Sequence, residues 1–172
     1  YVLMSDRWAP NEIDQLPPDI SLTAKTMPRL SYCRMVLAEA MRLYPPAWLF
    51  VRFSGDDDTL PSGTRMPAGS RIYISQWVMH RTDRWFPDPE KFDPERFSEF
   101  EIRKRQRFTY LTFGAGRRQC IGEQLVWIEG VLLIAAIARK FELQRNSSEA
   151  IRPEAGVTLR PPHGMPMRVG RR

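Results

Sequence analysis

The sequence predicts an α+β chain with two well-marked helices and several small β-sheets. Three observations carry that expectation. Leu30, Cys33, Val36, Leu37, Ala40 and Met41 recur at three- and four-residue intervals, the apolar stripe of a helix packed on one side. Apolar residues then dominate 125–137, where a long helix is expected. Around these lie β-prone runs cut by Gly, Pro and Asp, and a stretch at 85–97 too rich in proline for one regular helix or a central strand.

In chain order, residues 1–10 read as the end of a helix, and Leu16-Pro17-Pro18-Asp19 as a rigid connector. Thr23 or Ser21 caps a short turn before a helix over 29–43, which Pro45-Pro46 stops. Cys33 sits on its apolar stripe as a small buried hydrophobe. Glu39 and Arg42, spaced i,i+3, emerge on one face and can share a charged network.

A mixed β region follows at 47–75. Trp48 to Val51 is β-prone, Gly55 to Asp58 is a turn, and Arg71 to Ser75 forms a second strand. The three aspartates at 56–58 read as a solvated hairpin tip rather than a metal site. Gln76 to His80 enters a short helix, with His80 structural rather than catalytic. The proline-rich coil at 85–97 must be fixed by packing and specific polar contacts. Residues 98–109 are polar, basic and partly helical. A long helix over 122–139 is apolar around much of its surface and therefore expected to be buried. The C-terminal β region, 141–169, holds strands at 141–144, 156–160 and 165–169.

Length and composition bound the function. With 172 residues, 42% of them hydrophobic, the chain can form one domain with a sizeable core. Two cysteines make no disulfide framework, which favours a reducing, cytoplasmic compartment. There is no signal segment, and the apolar run near 131–138 is too short to cross a bilayer. The chain opens on Tyr1 rather than Met, so it reads as part of a longer protein that can carry a membrane anchor before residue 1. The formal charge of +6 comes with no nucleic-acid-binding motif, so no nucleic acid is expected as a partner. Arg103, Lys104, Arg105, Arg107, Arg117, Arg118, Arg139 and Lys140 gather around one loop. They suggest a docking face for an acidic protein, or a plain solvated basic face.

That loop, Phe113 to Gly122, carries the chemistry. Gly114, Gly116 and Gly122 permit turns or the close approach of a flat, rigid group. They deliver Cys120 to a helix N-terminus, where backbone N–H groups favour a thiolate. From the residues alone, such a thiolate can be a nucleophile, a zinc ligand or the axial ligand of a haem iron. Neither histidine lies at a spacing that suggests a Cys–His nucleophile, and two dispersed cysteines with two dispersed histidines do not complete a zinc site.

The loop resembles the haem-binding signature of the cytochrome P450 family, Phe-x-x-Gly-x-Arg-x-Cys-x-Gly, matched at Phe113, Gly116, Arg118, Cys120 and Gly122. Glu39-x-x-Arg42 followed by Leu43-Tyr44-Pro45-Pro46 is similar to a second signature of that family, and Phe92-Asp93-Pro94-Glu95-Arg96-Phe97 to a third. The resemblance implies the predominantly helical P450 fold with small β-sheets, of which residues 1–172 are the C-terminal part. It implies haem b (iron protoporphyrin IX) held by Cys120, with Phe113, Gly114, Gly116, Arg118, Ile121, Gly122 and Arg52 around it. Glu39, Arg42 and Arg96 would form a buried structural network. Ala47, Trp48, Leu49, Phe50 and Val157 would line a substrate cavity.

The activity implied is a monooxygenase that inserts one atom of O2 into a small hydrophobic organic substrate. Electrons would come from a ferredoxin or a flavoprotein reductase. The family's distal helix, with its acid–alcohol pair, has no counterpart in these residues, so the missing N-terminal part of the P450 domain is itself an expected partner. The alternative is an incomplete fragment that acts as a non-catalytic haem-binding or interaction domain.

Overall fold

The structure is a computed structural model that describes residues 10–146 and 152–172. The helix end expected over residues 1–10 lies outside the described residues except for Pro10. Helix α1 (Pro10–Asp14) precedes a 3-10 turn at Ala24–Arg29 and helix α2 (Ser31–Leu43). Thr23, not Ser21, caps the turn. Its side chain accepts from the Lys25 amide, and its own N–H donates to Thr26 Oγ1 at 2.9 Å.

α2 therefore starts two residues later than the periodicity predicts. Leu30, at its N-cap, has no side-chain acceptor. Glu12 of α1 takes over that role from a distance in sequence. Its carboxylate accepts from Tyr32 N (2.8 Å), Cys33 N (3.0 Å) and Ser31 Oγ (3.1 Å). These are the unsatisfied donors of a helix start, and a negative charge suits the positive end of the dipole.

The core lies where α5 (Glu123–Lys140) meets α1, α2 and the 3-10 turn. Ile13, Leu16, Leu30, Cys33, Val131, Ala135 and Ala138 are buried together. Cys33 is fully buried, as expected of a small hydrophobe, and burial pushes its thiol well above the ordinary range.

α5 departs from expectation on its outer side. Only Val131, Ala135 and Ala138 are buried, whereas Leu125 is 64% and Leu133 58% exposed. Total apolar content made the helix look buried all round. The described neighbours cover a single stripe.

Four small antiparallel pairs complete the fold. β1 (Phe50–Phe53) pairs with β4 (Arg71–Ile74), Phe50 opposite Ile74, and encloses the short hairpin β2 (Asp58–Thr59) with β3 (Arg65–Met66). The first strand begins at Phe50 rather than Trp48. At the exposed tip Asp57 accepts from Ala68 N (2.8 Å) and Arg65 (3.2 Å), which lowers its pKa through the amide first and the arginine second. Helix α3 (Gln76–Met79) follows β4, and α4 (Glu99–Lys104) follows the proline-rich coil, capped by Ser98.

Near the end β5 (Phe141–Arg145) pairs with β8 (Met167–Arg171), and β6 (Glu154–Ala155) with β7 (Leu159–Arg160). The strand expected over 156–160 is mostly a turn. Gly156 and Thr158 close it, so Val157 sits at the hairpin tip, fully exposed. No helix among the described residues is long and apolar enough to cross a membrane.

Glu12→Ala removes the acceptor for three donors at the start of α2. It is expected to lower unfolding stability by about 1–2 kcal/mol in urea titration, with no change in the far-ultraviolet spectrum of the folded state.

Candidate functional site

Helix α2 carries a buried charge network. Glu39 and Arg42 are both fully buried on α2. The Arg42 guanidinium grips the carboxylate through Nε to Oε2 at 2.6 Å and Nη2 to Oε1 at 2.8 Å. The remaining donors reach backbone carbonyls: Nη1 to His80 O at 2.7 Å and Nη2 to Lys91 O at 3.2 Å. Glu39 Oε1 also accepts from Asp93 N at 2.8 Å. Arg96 Nε stands 3.6 Å from the same oxygen, while its Nη2 donates to Asp88 O. The coil at 85–97 thus gains polar contacts along its length, which its proline content requires, and its last residues form a 3-10 turn, Pro94–Phe97, capped by Asp93.

His80 extends the network towards the loop. Its Nδ1 lies 3.2 Å from Arg42 O, and its Nε2 accepts from Leu111 N at 3.0 Å. A carbonyl oxygen can only accept, so the proton sits on Nδ1 and the ring is neutral. The ring stacks on Tyr110, centroids 5.1 Å apart. Burial, reinforced by the nearby Arg42, Arg81 and Arg105, lowers its pKa to about 4. His80 is a structural residue, as the sequence suggested. Its neighbour Arg81 lies 3.3 Å over the Trp77 ring and pairs with Glu90 at 3.0 Å.

The loop itself starts at Phe113. Gly114 (φ +72°) and Gly116 (φ +71°) occupy the left-handed region, which other residues adopt only with strain. Between them and the sulfur lies a 3-10 turn, Gly116–Arg118, and Cys120 N returns to Phe113 O at 2.9 Å. The result is a closed turn whose outer face, Gly116 to Ile121, is exposed. Phe113 packs edge-on against Trp127 of α5 at 5.6 Å, beneath that face.

The residues present fit a haem. Cys120 is a free, exposed cysteine, and a Cβ added at Gly122 would lie 3.7 Å from its sulfur, so the glycine keeps that side open. Among the described residues no group of three or more His, Cys, Asp or Glu could cage an ion. An iron already held by a porphyrin needs only one protein ligand, and the exposed Cys120 sulfur on its fixed turn would suit that place. Arg118 is exposed on the same face.

The remaining sequence candidates fall in a second group. Trp48 Nε1 donates to Gly156 O at 2.9 Å, and Leu159 N to Pro46 O at 2.9 Å. These bonds bring Ala47, Trp48, Leu49 and Phe50 beside the hairpin that carries Val157. Arg52 stacks on Phe50 at 4.8 Å. Among the described residues no hydrogen bond or ion pair joins Arg52 to the cysteine loop.

The basic residues differ in their surroundings. Arg105 lies 4.3 Å over Phe97 and is half-buried; Arg103 and Lys104 pair with Glu99 and Glu101; Arg139 donates to the carbonyls of Pro17 and Ile20. Arg117 and Arg118 stay exposed. A cavity of about 570 Å³ lies between the coil and α4, lined by Arg84, Trp85, Asp93, Arg96 and Arg105, but by no residue of the loop. It is therefore set apart from the candidate chemistry.

The family model for cytochrome P450 matches residues 9–167. Cyclooctatin synthase of Streptomyces melanosporofaciens is 37% identical over 148 residues, covering 86% of this chain and 32% of that protein. Cyclooctat-9-en-7-ol 5-monooxygenase of the same organism is 39% identical over 148 residues, 86% of this chain and 30% of the relative. Thromboxane-A synthase of Sus scrofa is 41% identical over 141 residues, 76% and 26% respectively. The crystal structure of the cytochrome P450DA heme domain superposes with a TM-score of 0.85 at 26% identity, over 94% of this chain and 35% of that one. The chain spans about a third of the length of the curated relatives it matches.

Two outcomes follow from the network. Glu39→Ala leaves Arg42 buried without its partner and is expected to cost about 3–5 kcal/mol by chemical denaturation. For His80 the folded pKa of about 4 lies below the ordinary 6.5. The unfolded chain therefore binds more protons between these values. The stabilisation is complete above pH 6.5 and is lost as pH falls towards 4, by roughly 3 kcal/mol. Stability measured against pH should show that extra loss in the wild type and lack it in His80→Gln.

Proposed function

This chain belongs to the cytochrome P450 family, and we propose that it is the C-terminal part of one P450 domain, the part that holds haem b through the Cys120 thiolate. The observation that carries the reading is the exposed sulfur on a glycine-shaped turn, backed by a fully buried ion pair. Haem with a thiolate ligand supplies the activation of O2 that allows one oxygen atom to enter an organic substrate.

Each residue then has a defined task. The turn from Phe113 to Cys120 fixes the direction of the sulfur. Phe113 and Trp127 shield its inner side from water. Arg118 and Arg52 offer guanidinium forks to the carboxylates of the porphyrin. Glu39, Arg42 and Arg96 hold the scaffold and take no part in chemistry. Ala47, Trp48, Leu49, Phe50 and Val157 form one wall of the space for a small hydrophobic substrate.

On its own the chain acts as a non-catalytic haem-binding portion. Its length, about a third of the relatives', supports this reading over a self-sufficient enzyme. So does the outer side of α5, where Leu125, Val126, Ile128 and Leu133 are exposed and suit the remainder of the domain. Monooxygenation, with electrons from a ferredoxin or a flavoprotein reductase, is the activity of the larger protein. The relative named as a monooxygenase supports that activity.

The test is haem titration of the chain, followed by reduction and carbon monoxide. A thiolate-type Soret band is expected in the wild type and should vanish in Cys120→Ala while the fold persists. No substrate turnover is expected from the chain alone. Turnover at the rate of a complete enzyme, or an unchanged band in Cys120→Ala, would overturn the reading.

A further inference from the structure

We propose that Gln76 and His80 are positioning residues that set the cysteine loop by holding both backbone polar groups of Leu111; this rests on the reading that Cys120 is the haem ligand. Gln76 opens α3 and His80 follows its last residue, so the i,i+4 spacing places both side chains on one face. Both are buried, at 1% and 0% exposure. Gln76 Nε2 donates to Leu111 O at 3.1 Å, and His80 Nε2 accepts from Leu111 N at 3.0 Å.

Leu111 lies in no helix or strand, so no regular ladder satisfies its backbone. Two side chains do the work of a neighbouring strand. The carbonyl they hold also accepts from Gly114 N at 2.9 Å, which forms the first turn of the loop, and Phe113 O in turn receives Cys120 N. The other end of the clamp is equally fixed. His80 donates from Nδ1 to Arg42 O, and Trp77 N and Ser75 Oγ each donate to Trp48 O at 3.3 Å. The sulfur is thereby referenced to α2 through side chains rather than through a sheet.

Gln76 supports the assignment in a second way. Its Oε1 is buried and has no hydrogen-bond partner. A leucine of similar size would avoid that cost. What the amide contributes is the donor it gives to Leu111. The neutral ring of His80 matters for the same reason, because only an unprotonated Nε2 can accept from Leu111 N.

Amide hydrogen exchange of the chain without haem tests the proposal, comparing wild type with Gln76→Leu, His80→Leu and His80→Gln. In the two leucine variants exchange at the Gly114 and Cys120 amides should rise about tenfold, while the α2 amides keep their protection. His80→Gln, whose Oε1 can accept from Leu111 N, should return the loop amides close to wild type. If His80→Leu does not fold, Gln76→Leu carries the comparison alone. Unchanged exchange at Gly114 and Cys120, or equal acceleration of every amide, would overturn the positioning role.

Haem-loaded samples supply a second readout, taken at the iron rather than at the amides. The fraction of the reduced carbon monoxide adduct with thiolate character should fall in the leucine variants and recover in His80→Gln. Should Cys120→Ala leave that signature unchanged, the haem-thiolate reading fails, and the exchange data still judge the clamp by themselves.

Discussion

The buried Glu39–Arg42 pair is the interaction on which the rest of the structure depends. Two opposite charges with no exposure have lost all their water, and each lost contact must be replaced by a protein group in one geometry. Arg42 takes the carbonyls of His80 and Lys91, and Glu39 takes the amide of Asp93. Those residues belong to two separate parts of the chain, the end of α3 and the proline-rich coil. Net stabilisation by such a pair is small when both partners are present, since desolvation offsets attraction. Its effect is positional: α2, α3 and the proline-rich coil can meet in only one arrangement that leaves no charge unpaired.

From that base the structure can afford an exposed and conformationally demanding loop. Gly114 and Gly116 adopt positive φ, and the outer face is left to solvent. Nothing in the loop itself has a core. Rigidity reaches it from Leu111, from Phe113 on Trp127, and from the return bond of Cys120. A sulfur placed in this way is fixed in direction yet open on one side, as a large planar ligand would require.

Much of this was legible in the sequence, for identifiable reasons. The i,i+3 spacing of Glu39 and Arg42, the prolines at 45 and 46 and the glycine turns around Cys120 are local signals, and local geometry determines what they can do. The residues that were missed act over distance. Glu12 caps a helix whose capped residues lie 19 to 21 positions downstream. Arg105 looked like surface charge and instead lies over Phe97. Gln76 gave no sign that its amide would hold Leu111. The apolar composition of α5 predicted burial but could not say which stripe its neighbours would cover, and Val157, read as strand, became a hairpin tip because Gly156 begins the turn.

X-ray absorption at the iron edge of the haem-loaded chain tests the central claim most directly, because it identifies the atom bound to iron. One sulfur neighbour is expected in the wild type, absent in Cys120→Ala and retained in Cys33→Ala. A coordination shell of nitrogen and oxygen alone in the wild type would contradict the account.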